Sequence, residues 1–498
     1  FPHHLRSQAW DVHNNIKDII MNILLRADGS TTLGMGHLYR CLAMVQMLEG
    51  LYDITFISRE ITADFEYILT KNNYKLIQIK KENEFLDLCD EKKIVVIDGH
   101  HFPSELYQKV REKGSQIVCI DDLHDKNYHS DVIINQAPGI TSTDYSTDPF
   151  NYFALGPNYA LLREPFLKAA NNKRKITSIK SCFICFGGGD QLDLTLRALK
   201  IAIQFSAFKT INVVTGSAYK HSESLKVFVG NYNSIKLFHA IDEFEMAEIM
   251  SASDVAIVPC STILLEVFAA GCIPISGYFV ENQKYFYQNF LSQNAFIDAD
   301  NFSETAIENA VNIALNSDIN ITEIIDGKSK SRINKCFQLL ENIASIELTR
   351  AKPEDSEITY KWASDPEVRK WSFNTNPILL EEHNNWFSRK INDQNCVYFI
   401  AKLDNEPIGS IRFDMNENTA TISYLLDPAF HGKGLGQAIL AKGCKEFVKI
   451  LSPDHKPLTI EGFVSKGNLP SISSFEKLGF ERTEVENNYR YVVIISNG

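Results

Sequence analysis

From residue 21 onward, short runs of β-branched and aliphatic residues alternate with segments whose apolar positions recur at helical spacing. The strand-like runs are NILL (22–25), ITFI (54–57), IVVI (94–97), IVCI (117–120) and VII (132–134). Between the first two, Leu38, Cys41, Leu42, Val45 and Leu48 fall at helical intervals. Fully apolar strands alternating with amphipathic helices predict βαβ units and a parallel sheet covered on both faces. After about residue 165 a basic, polar stretch, KAANNKRKITSIK, reads as a linker. A second alternation follows it: CFICF (182–186), INVV (211–214), IKLF (235–238), VAIV (255–258) and IPIS (273–276). Two Rossmann-like lobes with a cleft between them are expected, the ligand lying beyond the carboxyl ends of the strands. Near residue 345 the pattern changes. IELTRAKPEDSEITYKWASDPEV reads as strand, turn and helix, and YFIAKL, IGSIRFD and TATISYLL follow as antiparallel strands without intervening helices. The expected fold class is therefore α/β, two lobes over 21–165 and 175–342, followed by a separate α+β domain over 346–498.

Composition narrows the chemistry. The chain has 498 residues, 44% hydrophobic and 22% charged, with a net charge of −12. That balance fits a multidomain globular protein and argues against nucleic acid as the main ligand, which needs a basic face. A phosphorylated small molecule needs only a local nest of donors and stays open. Ten cysteines are scattered along the chain, many in apolar runs. The pair Cys182 and Cys185 lies inside a strand-like run with no second pair, so buried thiols are expected, with no metal, in a reducing cytoplasm. No apolar stretch is long enough to span a bilayer. Residues 1–20 lack the apolar region of a signal peptide and precede Met21, so they are expected to be a leader or added upstream segment.

Three glycine-rich turns carry the candidate chemistry. Arg26 and Asp28 end a strand, and Gly34-Met35-Gly36-His37 opens a helix, whose N-terminus favours an anion. Histidine suits proton transfer near neutrality, although a Gly-His at a helix start can also be purely structural. Phe186 and Gly187-Gly188-Gly189 end a strand in the second alternation. There, Ser261 and Thr262 start a helix with Glu266 on the same face as Thr262, where a carboxylate can accept both hydroxyls of a ribose. Asn282-Gln283 is expected to close that site. In the C-terminal part, His431-Gly-Lys433-Gly434-Leu435-Gly436 opens a helix and reads as a pyrophosphate nest, with a mere turn as the alternative. It is followed by the strand LTIEGFV and by Asn468-x-x-Ser471 with Phe475-Glu-Lys-Leu-Gly-Phe480.

The order of these last elements resembles the GNAT acetyltransferases over roughly residues 346–498. The resemblance implies acetyl-CoA as co-substrate, with Lys433–Gly436 on the pyrophosphate and Asn468 near the pantetheine. The family often has tyrosine where Phe475 stands, to protonate the departing thiolate, so Tyr489 or water is the expected substitute. Glu461, on the last inner strand, is the candidate base, or else a solvated edge carboxylate. Trp362, Asp365-Pro366, Arg369, Trp371, Ser372 and the EEHNNWF run resemble nucleotide-sugar acetyltransferases, with simple packing of Trp362 and Trp386 as the alternative.

The N-terminal set resembles GT-B glycosyltransferases of the MurG type. It is closer to the UDP-2,4-diacetamido-2,4,6-trideoxy-β-L-altropyranose hydrolases of pseudaminic acid synthesis. R-A-D…G-x-G-H-x-x-R-C, I-D-D-L (120–123), L-L-R-E-x-F (161–166), F-G-G-x-D and S-T-x-x-x-E…G-x-P…N-Q occur in that family's order. The resemblance implies His37 as the base of an inverting hydrolysis, and a nucleotide-sugar site formed by Arg26, Asp28, Gly36, Gly187–Gly189, Ser261, Thr262, Glu266, Asn282 and Gln283. It implies consecutive acetylation and hydrolysis of UDP-amino-sugars, while the negative net charge and the lack of a spanning apolar stretch leave neither nucleic acid nor membrane as an expected partner. One departure is Asp98-Gly99-His100, where Asp-x-Tyr is expected. A GT-B glycosyltransferase fused to an acetyltransferase for another amino sugar stays open.

Overall fold

The computed structural model describes residues 21–30, 33–316, 323–451 and 458–495. The upstream segment expected over residues 1–20 lies outside them. Strands with a continuous apolar run, such as Ile94–Ile97 within Lys93–Asp98, are buried throughout after their first residue, as a sheet covered on both faces requires. The first sheet has seven parallel strands in the order Lys75–Gln78, Asp53–Ser58, Asn22–Ala27, Lys93–Asp98, Gln116–Ile120, Val132–Asn135, Tyr152–Leu155. The order reverses direction between Asn22–Ala27 and Lys93–Asp98, which opens a crevice at their carboxyl ends. Lys75–Gln78 is an exposed edge strand, which is why no apolar run announces it.

The second sheet has six parallel strands, Ile235–His239, Thr210–Thr215, Ser181–Ile184, Val255–Pro259, Ile273–Gly277 and Ile297–Asp298. Its order reverses between Ser181–Ile184 and Val255–Pro259. The strand expected through Phe186 stops at Ile184, and Cys185 and Phe186 lead into the glycine turn.

The third sheet runs Ile346–Arg350, Cys396–Leu403, Glu406–Asn416, Thr419–Leu426, Leu458–Ser465, Asn488–Ile495, Glu481–Val485. Every neighbouring pair is antiparallel except Thr419–Leu426 with Leu458–Ser465. That parallel ladder ends at Ile422 and Gly462 although both strands continue, so the sheet forks. Helices Leu435–Ile450 and Leu469–Lys477 cover one face, where Ile411 meets Gly443 and Phe475 lies under Gly462. Helix Leu380–Asn392 covers the other, where Trp386 lies over the Arg412 guanidinium.

The helix Ser329–Ser345 joins the parts. Gln116 Nε2 donates to the Leu340 carbonyl at 2.9 Å and Arg332 Nη1 to the Asn158 carbonyl at 3.2 Å, both in the first lobe. At its far end Lys442 donates to the Ile343 carbonyl at 2.8 Å. One continuous apolar core runs from the first sheet through Phe337 and Leu340 to Phe447 on helix Leu435–Ile450 and Leu458 in the third sheet. All ten cysteines are free and buried, and burial pushes the Cys185 thiol up to about 12. No helix among the described residues is long and apolar enough to cross a membrane.

Candidate functional site

Two of the glycine turns, at Gly34–Gly36 and Gly432–Gly434, lead into helices with no side-chain cap, whereas the Gly187–Gly189 turn lies beside the separate uncapped start of helix Thr262–Ala270. Uncapped first-turn N–H groups are donors without an intrahelical partner.

At the first crevice, helix Gly36–Leu48 follows strand Asn22–Ala27 and carries His37 toward the end of Lys93–Asp98. His37 Nδ1 lies 2.7 Å from Asp98 Oδ1. Arg40, one turn on, donates Nη2–H to Asp98 Oδ1 at 2.6 Å and Nε–H to Oδ2 at 2.8 Å. Its Nη1 reaches both oxygens of Asp122 at 2.7 and 2.8 Å. Burial would raise the Asp98 carboxyl pKa, but Arg40 and His37 hold it well below the ordinary carboxylate range. A fixed carboxylate on Nδ1 selects the Nδ1–H tautomer and leaves Nε2 as the basic nitrogen. The His100 ring stands edge-on to His37 at 4.7 Å, and burial lowers its pKa.

Arg26 and Asp28 form a neighbouring pair, joined at 2.6 and 2.9 Å, with Arg26 also held by Glu82 at 2.9 Å. His101 Nε2 lies 3.1 Å from Asp28 Oδ2. The turn Gly99–Phe102 thus links the two clusters, one histidine facing His37 and the next facing Asp28. Glycine is required at 99, because a Cβ would lie 2.8 Å from the His101 and Phe102 rings. Gly36 has open space around its would-be Cβ, as a backbone facing a ligand needs.

At the second crevice, Gly187 has φ +82° and neither Gly188 nor Gly189 has an atom within 4 Å of a would-be Cβ. Asp190, which follows, accepts from Leu194 and Thr195 N–H and is a helix cap. Ser261 and Thr262 begin helix Thr262–Ala270 at the end of the adjacent strand. Glu266 is buried, and its Oε1 accepts two N–H bonds from Arg163 at 2.9 and 2.8 Å. Burial raises the Glu266 pKa and Arg163 opposes it. A ribose would therefore share this carboxylate with Arg163. Gln283 Oε1 accepts from Phe279 N–H at 3.2 Å, and exposed Asn282 precedes it in the turn Glu281–Gln283.

At the fork of the third sheet, Gly432 and Gly434 have φ of +81° and +76°, and Gly434 precedes helix Leu435–Ile450. Space around Gly432 and Gly436 is open or at ordinary contact, which fits a pyrophosphate against the main chain. Lys433 Nζ lies over the Phe430 ring, and Asn342 Nδ2 donates to the Lys433 carbonyl at 3.1 Å, tying the loop to the bridging helix. Leu435 is buried and anchors the turn. Asn468 caps the next helix, its Oδ1 accepting from Ser471 N–H at 3.3 Å, which leaves its amide N–H groups for a ligand. Glu461 accepts from Thr421 Oγ1 at 3.2 Å and from Arg490 Nε at 2.7 Å, so it meets an ammonium only by exchanging Arg490 or through water. Trp362 is buried with Nε1 donating to Asp427 at 2.8 Å, and Trp386 packs on Arg412 and Tyr398, so both build the domain. Among the described residues no cluster is placed to hold a metal ion.

The sequence reading left four partners without assigned roles: Arg40, Asp98, Asp122 and Arg163. The motifs containing them are visible, but their pairings span 58 to 103 positions.

Residues 345–481 match the model of the acetyltransferase (GNAT) domain. An uncharacterized protein of Methanocaldococcus jannaschii is 24% identical over 493 residues, 95% of this chain and all of its own length. The UDP-2,4-diacetamido-2,4,6-trideoxy-beta-L-altropyranose hydrolase of Campylobacter jejuni is 27% identical over 275 residues, 53% of this chain and 94% of the hydrolase. Acetyltransferase PseH of the same organism is 25% identical over 155 residues, 31% of this chain and 92% of PseH.

Proposed function

We propose that this chain, which joins a part related to the altropyranose hydrolase to a GNAT acetyltransferase domain, carries out two consecutive steps on one nucleotide-sugar. The acetyltransferase domain moves an acetyl group from acetyl-CoA to the 4-amino group of UDP-4-amino-4,6-dideoxy-N-acetyl-β-L-altrosamine. The two-lobed part then hydrolyses UDP-2,4-diacetamido-2,4,6-trideoxy-β-L-altropyranose to free sugar and UDP, with inversion. The observation that carries the reading is the His37–Asp98–Arg40 array at the first crevice, present in one chain with the glycine nest at the fork.

In the hydrolysis, UDP departs readily once main-chain donors at Gly187–Gly189 and at the Ser261–Thr262 helix start neutralise its phosphates. The remaining task is to aim one water at C1. His37 Nε2 takes its proton, Asp98 stabilises and orients the imidazolium that results, and Arg40 holds the Asp98 carboxylate in place. In the acetylation, Gly432–Gly436 hold the pyrophosphate and the Asn468 amide meets the pantetheine.

The test is to incubate the protein with the 4-amino UDP-sugar and acetyl-CoA and follow products by mass spectrometry. The expected sequence is the acetylated UDP-sugar, then UDP and the free diacetamido sugar. Absence of both products overturns the reading, and transfer of the sugar to an added acceptor in preference to water makes the two-lobed part a glycosyltransferase.

A further inference from the structure

An acyl transfer from a thioester has to dispose of a thiolate. A thiol of pKa about 8.5 leaves poorly into an apolar cleft unless a proton meets it. Phe475 cannot supply one. It is buried under Gly462, where a Cβ would lie 2.5 Å from its ring, and is stacked on Tyr491 at 5.0 Å. The Tyr491 hydroxyl is turned to Glu476 at 3.4 Å. Tyr489 stands opposite Val464 on the far side of strand Leu458–Ser465, outside the fork, and its ring is flanked by Lys466 and Arg482.

Tyr424 is differently placed. It is the second residue beyond the last rung of the parallel ladder, on the open arm of the fork. Strand alternation sets Ala420, Ile422 and Tyr424 on the face of the glycine-nest helix, and a Cβ at Gly436 would lie 3.9 Å from Tyr424 Cε2. Its hydroxyl donates to Ser471 Oγ at 3.0 Å, and the Ser471 N–H donates to Asn468. The phenol therefore spans the two elements assigned to the acyl donor. Glu461 and Thr421 occupy the opposite face of the sheet. Burial pushes the Tyr424 phenol pKa up, with Ser471 and Ser474 opposing, so the proton is in place at neutral pH.

We propose that Tyr424 is the proton donor to the departing thiolate, replacing the group that Phe475 lacks. The proposal rests on the acetyl-CoA reading of the fork. The neutral amine attacks the thioester carbonyl, forming N–C as the carbonyl pair moves to oxygen. Collapse breaks C–S, the pair goes to sulfur, and sulfur takes the Tyr424 Oη proton. The nitrogen releases its surplus proton to Glu461 or water, and the phenolate regains one from solvent through Ser471 Oγ. Amine and thioester become amide and thiol, with one proton passing from nitrogen to sulfur overall.

The test uses the full chain and two readouts. The first needs no sugar: the ionisation of bound coenzyme A is titrated by thiolate ultraviolet absorbance. A phenol donating to the thiolate favours its charged form, so Tyr424→Phe should raise the bound thiol pKa by about 1 unit or more. The second is turnover. Tyr424→Phe should lower kcat for acetylation on the order of 100-fold and change KM for acetyl-CoA less than about 3-fold. Replacing Tyr424 with 3,5-difluorotyrosine, which loses its proton more easily, should move the alkaline limb of kcat to lower pH, and carries the test alone if Tyr424→Phe does not fold. An unchanged thiol titration together with unchanged kcat, or an unmoved alkaline limb, overturns the proposal. Failure of the wild type to bind coenzyme A overturns it along with the reading of the fork. A Tyr424 effect on bound thiol without acetylation of the UDP-sugar overturns only the proposed substrate.

Discussion

His37 owes its proposed role to Asp98, which lies 61 positions away and fixes the tautomer at 2.7 Å. His37→Asn should keep the fold and UDP binding and lower UDP release on the order of 100-fold, the scale of a lost general base, as stopped-assay UDP quantitation will show. Asp98→Asn should lower the same rate by misorienting the ring. It also has a stability signature. The folded pKa of Asp98 is depressed below its unfolded value of about 3.9, so its stabilisation is fully present above that value and is lost as pH falls toward the folded pKa. The gap in urea midpoint between wild type and Asp98→Asn should therefore be widest at neutral pH and narrow below about pH 4. A gap independent of pH would show that the Asp98 charge contributes nothing.

At the scale of elements, the first and third candidate anion sites are a strand end, a glycine turn and an uncapped helix start, and the second combines the Gly187–Gly189 turn with the uncapped start of helix Thr262–Ala270 on a different strand. Gly434 has φ +76°, so any side chain there carries strain in addition to its bulk. Gly434→Asp adds a carboxylate to the nest and should abolish coenzyme A binding by calorimetry, whereas Gly434→Ala, which adds strain alone, should weaken it far less. In the second lobe the Glu266 carboxylate already holds Arg163. Glu266→Gln should weaken UDP by roughly 1–3 kcal/mol, about ten- to a hundredfold, and leave inorganic pyrophosphate nearly unaffected. Equal weakening of both ligands would remove the ribose role and leave Glu266 as a link between the lobes.

Over the whole molecule, the acetyltransferase domain is seated on the first lobe. Lys445 Nζ lies 2.6 Å from Asp131 Oδ1, Phe480 meets Phe150 at 5.8 Å between ring centroids, and Lys477 lies over Tyr152. Burial would raise the Asp131 pKa, and Lys445 and Arg111 lower it. A Lys445→Met and Asp131→Asn double-mutant cycle, read by chemical denaturation, should give a coupling of about 0.5–3 kcal/mol. The two chemistries themselves should separate by point substitution in the full chain. His37→Asn should still acetylate, and Gly434→Asp should still hydrolyse preacetylated UDP-sugar. Loss of both activities in either variant would mean that the sites are shared.

The residue pattern by itself determined the two parallel sheets, the change of architecture near residue 345 and the three glycine turns. Each depends on local properties: β-branched runs bury both strand faces, helical spacing sets one apolar face, and only glycine tolerates φ near +80° at Gly187, Gly432 and Gly434. Strand Lys75–Gln78 escaped because a short, exposed edge strand needs no continuous apolar run. Partnership was not legible at all. Periodicity says which face a residue takes but not which neighbour it meets, so the sequence places His37 at a helix start without Asp98, and Glu266 on a helix face without Arg163. It names Phe475 as the missing acid, yet the nearness of Tyr424 to Ser471, 47 positions on, exists only once the ladder stops at Ile422 and the fork opens. Helix Ser329–Ser345 reads as the end of one lobe. Only packing turns it into the bridge that touches the first lobe through Leu340 and the glycine nest through Asn342, because burying its apolar face requires surfaces from both.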